Sequence, residues 1–176
     1  MGMQMKRWLW LGMLVLGLSG GAQAAGFETR PATPAPELKA QDLSGATKTL
    51  ADYRGKVVLL NFWASWCPPC LREMPSMERL RVKMAGRPLA IVALDSAETA
   101  DEVNAYLSKM KLGFPILLDP DGSNTKRWKV FALPTTFLLD ASGRVRYVLT
   151  GPTEWDEGEA LAIIESMLAE MPGKAK

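Results

Sequence analysis

The chain has 176 residues, 48% of them hydrophobic and 23% charged, with a formal net charge of +2, two cysteines and no histidine. That is enough chain for one sizeable core, and the even balance of charge excludes the basic stripe of a nucleic-acid binder. Two cysteines without histidine are too few ligands for a structural zinc site.

Lys6 and Arg7 precede an apolar run from Trp8 to Leu18, which gives way to Gly20, Gly21 and the small-residue pattern Ala22-Gln23-Ala24. This is the layout of a secretory signal peptide over residues 1–24, and the run is short of the roughly 20 apolar residues a spanning helix needs. The leader contains the only two charges of its stretch, so the chain beyond it carries 19 basic and 19 acidic residues. Residues 25–36, with Pro31, Pro34 and Pro36 among small and polar neighbours, read as an extended linker. The folded domain is expected over 37–171, with 172–176 as a tail.

Within the domain, residues 37–43 and 47–50 flank Ser44-Gly45-Ala46 as a β-hairpin. Gly55 opens the continuous apolar run Val57-Val58-Leu59-Leu60-Asn61-Phe62-Trp63, which suits a strand buried on both faces. Leu71, Met74, Met77, Leu80, Val82 and Met84 then recur at helical spacing. Leu89–Leu94 is a second apolar strand, 97–111 a helix and 114–118 a short strand ended by Asp119-Pro120-Asp121-Gly122. A short helix near 124–130 leads into the segment 133–140. Ala141-Ser142-Gly143 turns into the alternating strand 144–149, and Trp155–Met171 closes the domain as a helix. The order implies an α/β fold with a mixed central sheet flanked by helices.

Both cysteines fall where the first buried strand hands over to its helix, as Trp66-Cys67-Pro68-Pro69-Cys70. A helix start offers unpaired N–H groups and the positive end of the dipole, which favour a thiolate. Proline suits the first helical turn, although Pro68 and Pro69 also remove two donors that could stabilise that thiolate. Haem attachment needs a histidine after the second cysteine, and position 71 is leucine. A structural staple closing so short a loop would constrain the unfolded chain little. The pair therefore reads as a dithiol–disulfide redox couple.

Trp66-Cys67-Pro68-Pro69-Cys70, Phe62-Trp63-Ala64 and Leu133-Pro134-Thr135-Thr136-Phe137-Leu138-Leu139-Asp140 together resemble thioredoxin-like proteins, and within them the exported TlpA/ResA/DsbE-type group, over about residues 35–171. The resemblance implies a thioredoxin-like fold with an N-terminal β-hairpin and a central α/β insertion at 97–118. It implies that Cys67 is the attacking thiol, Cys70 the resolving one and Pro134 a cis proline facing them. It further implies a client groove lined by Trp66, Pro68, Pro69, Leu133, Pro134 and Thr135, and an active role for Glu73 in proton transfer at the thiols. Pro75 matches a structural helix proline. Asn61 stands where thioredoxins carry a buried aspartate, and asparagine cannot act as a base. Ala132 stands where many thioredoxins have glycine before the Leu/Ile-Pro pair.

The expected function is that of a periplasmic thiol–disulfide oxidoreductase, a monomer that reduces disulfides in client proteins. It would need no cofactor beyond Cys67–Cys70, bind no nucleic acid or metal, and be recharged by a membrane DsbD/CcdA-type thiol donor. Clients of cytochrome c maturation or copper-site assembly are implied by the resemblance alone. Two other readings use the same dithiol: an oxidase running in reverse, and a Cu(I)-binding module. A peroxidase is less favoured, because no threonine-and-cysteine peroxidase motif surrounds Cys67.

Overall fold

A computed structural model describes residues 26–171; the expected leader and tail lie outside them. Eight strands among these residues form one mixed sheet, in the order β1 (Glu28–Pro34), β8 (Arg144–Thr150), β7 (Thr135–Leu139), β4 (Val57–Trp63), β5 (Leu89–Ser96), β6 (Ile116–Asp119), β2 (Lys39–Asp42) and β3 (Thr47–Thr49). At its centre is β4 (Val57–Trp63), every residue of which is buried. It runs parallel to β5 (Leu89–Ser96) and antiparallel to β7 (Thr135–Leu139). A strand covered on both faces has no solvent side to be polar, which is why it is an unbroken apolar run apart from Asn61.

The pleat sorts that run into two cores. Val57, Leu59 and Trp63 pack against the long helix α1 (Pro68–Lys83) and the final helix α4 (Gly158–Ala169) through Met74, Met77, Leu80, Ile164 and Met167. Val58, Leu60 and Phe62 join Leu38, Leu94 and Trp128 on the opposite face. Asn61 shares parity with Leu59 and Trp63, so it faces the helices.

The hairpin of β2 (Lys39–Asp42) and β3 (Thr47–Thr49) forms as its sequence implies. Its turn is held by the Asp42 carboxylate, which accepts from the Ser44 amide and hydroxyl and the Ala46 amide. Gly45 supplies the positive φ of 86° that the turn demands. The hairpin sits at the far edge of the sheet, beside β6 (Ile116–Asp119), through Gln41 opposite Leu118.

Three expectations are corrected. Part of the stretch expected as a linker is a strand, β1 (Glu28–Pro34), antiparallel to β8 (Arg144–Thr150). Sheet pairing satisfies its backbone although every one of its side chains is exposed, so hydropathy gave no signal. Phe27, just before it, packs edge-to-face on Trp155 at 5.8 Å. The second helix, α2, is only Ala100–Leu107, because Ala97 has a positive φ of 66° and Thr99 caps the start in a reciprocal box with Glu102. The closing helix starts at Gly158 and not at Trp155, which is buried ahead of it. The short helix α3 spans Ser123–Arg127.

Candidate active site

Cys67 is the N-cap of α1, with Pro68 and Pro69 in its first turn. Those prolines leave the Cys70 amide as the first-turn donor that reaches the Cys67 sulfur, at 3.4 Å. The Leu71 amide is already taken by the Cys67 carbonyl. The two sulfurs are joined as a disulfide, with 5.4 Å between the Cα atoms. Cys67 is 4% exposed and Cys70 fully buried, so an approaching sulfur meets Cys67 first.

Above Cys67 lies an open groove of about 510 Å³, bordered by Trp66, Pro68 and Pro69 on one side and by Val130, Phe131 and Leu133 on the other. The peptide bond between Leu133 and Pro134 is cis. The Pro134 carbonyl accepts from the Gly151 amide, which ties this loop to the end of β8. Among the described residues, no hydrogen bond uses the Leu133 amide or carbonyl; both remain free for an incoming extended chain. Among the described residues, no lysine or arginine borders the groove.

Of the residues expected to touch a client, Trp66, Pro68, Pro69 and Leu133 line this groove, while Pro134 is buried. Thr135 does not reach it. It lies opposite Phe62 in the ladder, on the sheet face turned away from α1, and its hydroxyl donates to the Ala132 carbonyl at 2.8 Å. Sequence reading missed Phe131. It is 93% exposed, and with Trp66 at 68% it is one of the two most exposed large apolar side chains among the described residues. Both border the Cys67 groove, where isolated solvent-facing aromatics have a use that they lack elsewhere.

Glu73 sits one helical turn beyond Cys70 and is buried. Its carboxylate accepts from Asn61 Nδ2 at 2.7 Å, from Trp155 Nε1 at 3.3 Å and from the Thr153 amide at 3.3 Å. Burial pushes its pKa from 4.5 up to about 7; the hydrogen bonds from Asn61, Trp155 and Thr153 pull it down, and the charge of Glu154 adds a small upward push. Asn61 also donates to Thr136 Oγ1 at 2.8 Å. The strand position that lacks an acid thus orients the acid supplied by the helix. An asparagine at this place in an apolar strand, with a glutamate one turn past the second cysteine, was the signal available in the sequence.

A second acidic pair lies behind the loop before Cys67. Glu98 accepts from both the amide and the hydroxyl of Ser65, each at 2.5 Å. Asp95 is fully buried nearby, and neither of its oxygens has a hydrogen-bond partner among the described residues. Burial first, then the neighbouring Glu98 and Glu102, push its pKa up to about 8. No sequence pattern linked these residues to the cysteines, because 33 positions separate Ser65 from Glu98.

Comparison with known proteins gives a consistent picture. Residues 31–148 match the model of the AhpC/TSA family. The chain is 38% identical over 158 residues to the thioredoxin-like protein YneN of Bacillus subtilis, covering 84% of this chain and 91% of that one. It is 40% identical over 117 residues to the thiol-disulfide oxidoreductase ResA of Bacillus thuringiensis, covering 66% and 68%. Among solved structures, a thiol:disulfide interchange protein DsbE from Chlorobium tepidum superposes with a TM-score of 0.73 at 30% identity, over 80% of this chain and 99% of that one.

Proposed function

Since the chain belongs to the AhpC/TSA family of thioredoxin-like proteins and is a thiol–disulfide oxidoreductase of the ResA/DsbE type, we propose that it works as a reductant of client-protein disulfides in the periplasm. The observation that carries the direction is the poverty of support for a thiolate at Cys67. A strong oxidant stabilises its reduced form, chiefly through the attacking thiolate. Here one amide reaches that sulfur, two prolines replace its neighbours, and among the described residues no cation borders the groove. A weakly stabilised thiolate gives its electrons away readily.

In the reduced protein the Cys67 thiolate attacks one sulfur of a client disulfide. A bond forms between Cys67 and that sulfur, the client S–S bond breaks, and the other client sulfur leaves as a thiolate. Cys70 then loses its proton, with Glu73 as the acceptor, and attacks the Cys67 sulfur. The mixed disulfide breaks, the second client thiolate leaves, and Cys67–Cys70 is oxidised. Two electrons pass to the client, whose thiolates take up the two protons. The disulfide itself is the only redox group this cycle requires.

The protein then needs a thiol donor. In an oxidising compartment that donor must draw electrons from across the membrane, which fits a DsbD/CcdA-type membrane protein. We take residues 1–24 as the export signal and the working form as a monomer without nucleic-acid partners. Clients would be disulfide-bearing proteins of cytochrome c maturation or copper-site assembly. Among the described residues no helix is long and apolar enough to cross a membrane.

Equilibration of Cys67–Cys70 against dithiothreitol and glutathione buffers tests the direction. The expected potential lies near that of thioredoxin, about −270 mV. A value near that of DsbA, about −120 mV, would reverse it and make the protein an oxidase.

A further inference from the structure

Phe131 stands between two grooves. One is the groove above Cys67; the other, of about 580 Å³, runs over the sheet face turned away from α1, where β1, β8 and β7 lie side by side. Phe131 and Ala132 border both, so the two join across the loop that precedes the cis proline. The floor of the second groove is apolar, formed by Phe137, Val145 and Val148 from β7 and β8.

Its rim is charged, and not evenly. Glu28 is taken up by Arg30 at 2.6 Å. Arg127 and Lys129 have no carboxylate partner among the described residues; the Arg127 guanidinium reaches only the Glu37 carbonyl and the Asn124 amide oxygen, both at 3.5 Å. Lys129 is also one of two non-glycine residues with positive φ among the described residues, at 54°. That conformation costs about 1–2 kcal/mol for an ordinary side chain, and such strain tends to persist where function requires the backbone path. The path here leads within two residues to the exposed Phe131.

We propose that the second groove docks the polypeptide flanking the disulfide of a client, and that it selects segments carrying an acidic residue beside an apolar one. This rests on the disulfide-reductant reading and adds a class of client to it. A single extended segment could pair with the free Leu133 backbone, pass over Phe131, lay an apolar side chain on Phe137 and Val148, and bring its carboxylate to Arg127 and Lys129. A second copy of this chain adding a strand at β1 is the poorer occupant, since Pro31 and Pro34 remove donors from that edge.

The test uses the reduced protein and disulfide-bonded peptides of one core sequence, with Asp, Ala or Lys placed in turn on either side of the cysteine. The kcat/KM of each is divided by that for hydroxyethyl disulfide, which is too small to reach the second groove. At low ionic strength Asp at one position or two adjacent positions is expected to be favoured over Ala by about fivefold, as one or two surface ion pairs would give. Added salt should erase the preference. It should also vanish in the Arg127→Gln/Lys129→Gln protein and reverse toward Lys in Arg127→Glu/Lys129→Glu. A flat scan, or a preference unchanged in both double variants, overturns the inference while leaving the reductant reading intact. So does a concentration-dependent dimer that the variants dissolve without altering peptide preference. Failure to reduce either the peptides or hydroxyethyl disulfide sinks the reductant reading, and this inference with it.

Discussion

Glu73 shows how one side chain acquires a role from its surroundings. On an exposed helix face it would be an ordinary charge; here Asn61, Trp155 and Thr153 surround it and burial lifts its pKa to about 7. In the unfolded chain it ionises near 4.5, so between those values the folded protein holds a proton the unfolded chain has lost. Its contribution to stability is therefore complete below about pH 4.5 and is lost as pH rises through about 7. Glu73→Gln should flatten that decline in denaturation midpoints measured from pH 4 to 9. It should also slow resolution of the mixed disulfide above pH 7, where the proposed mechanism has the ionised carboxylate accept the Cys70 proton. An unchanged pH–rate profile would return Glu73 to a purely structural role. Cys70→Ser should accumulate mixed disulfides with clients, visible on non-reducing gels, whereas Cys67→Ser should abolish turnover of insulin. A Cys67→Ser protein that still reduced insulin would defeat the mechanism.

The helix that carries the cysteines depends on an element far from it in sequence. The segment between β5 and α2 places Glu98 against Ser65, which fastens the loop entering α1. Hydrogen bonds to a charged group are worth roughly 1.5–3 kcal/mol each in net terms. Glu98→Ala should therefore free the loop, with exchange of the Ser65 and Cys67 amides faster by about tenfold or more in hydrogen-exchange measurements. Glu98→Gln keeps an acceptor and should recover part of that protection. The neighbouring Asp95 gives a second readout. Its pKa is raised by burial and by Glu98, so removing Glu98 should move its titration down from about 8. Wild-type stability should fall as pH rises from about 3.8 through about 8, and less steeply in Asp95→Asn.

Across the whole molecule, α1 and α4 cover one side of the sheet, while the other side leaves the flank of β7, β8 and β1 open as a groove. The edge strand β1 completes that flank, and Phe27 pins its start to Trp155. Because Trp155 also holds Glu73, the edge of the sheet is connected to the site through one aromatic ring. Deleting residues 26–34 should therefore lower the thermal midpoint by several degrees, consistent with roughly 1–3 kcal/mol of lost packing and pairing, and expose β8 as a new edge prone to association. A deletion variant with unchanged melting would mean that the segment is a linker after all.

Much of this was legible in the sequence, and the reasons are local. A run such as Val57–Trp63, apolar but for Asn61, has few other ways to fold. The hairpin turn is written in Asp42 and Gly45, and C-x-x-C at a helix start determines where a thiolate is favoured. The boundaries that failed depend on chain-distant partners. β1 has no apolar pattern because it draws on β8 for its hydrogen bonds, and Trp155 leaves the last helix because it is needed beneath Glu73. The dithiol chemistry could be read locally, since the two thiols, their prolines and the helix start lie within a few residues of one another. Tertiary contacts were needed to bury Glu73 beside Asn61 and Trp155, to fasten the loop before Cys67 through Glu98, and to set the exposed Phe131 at the groove above Cys67. Those contacts join residues dozens of positions apart, and their energies depend on burial that no local pattern encodes.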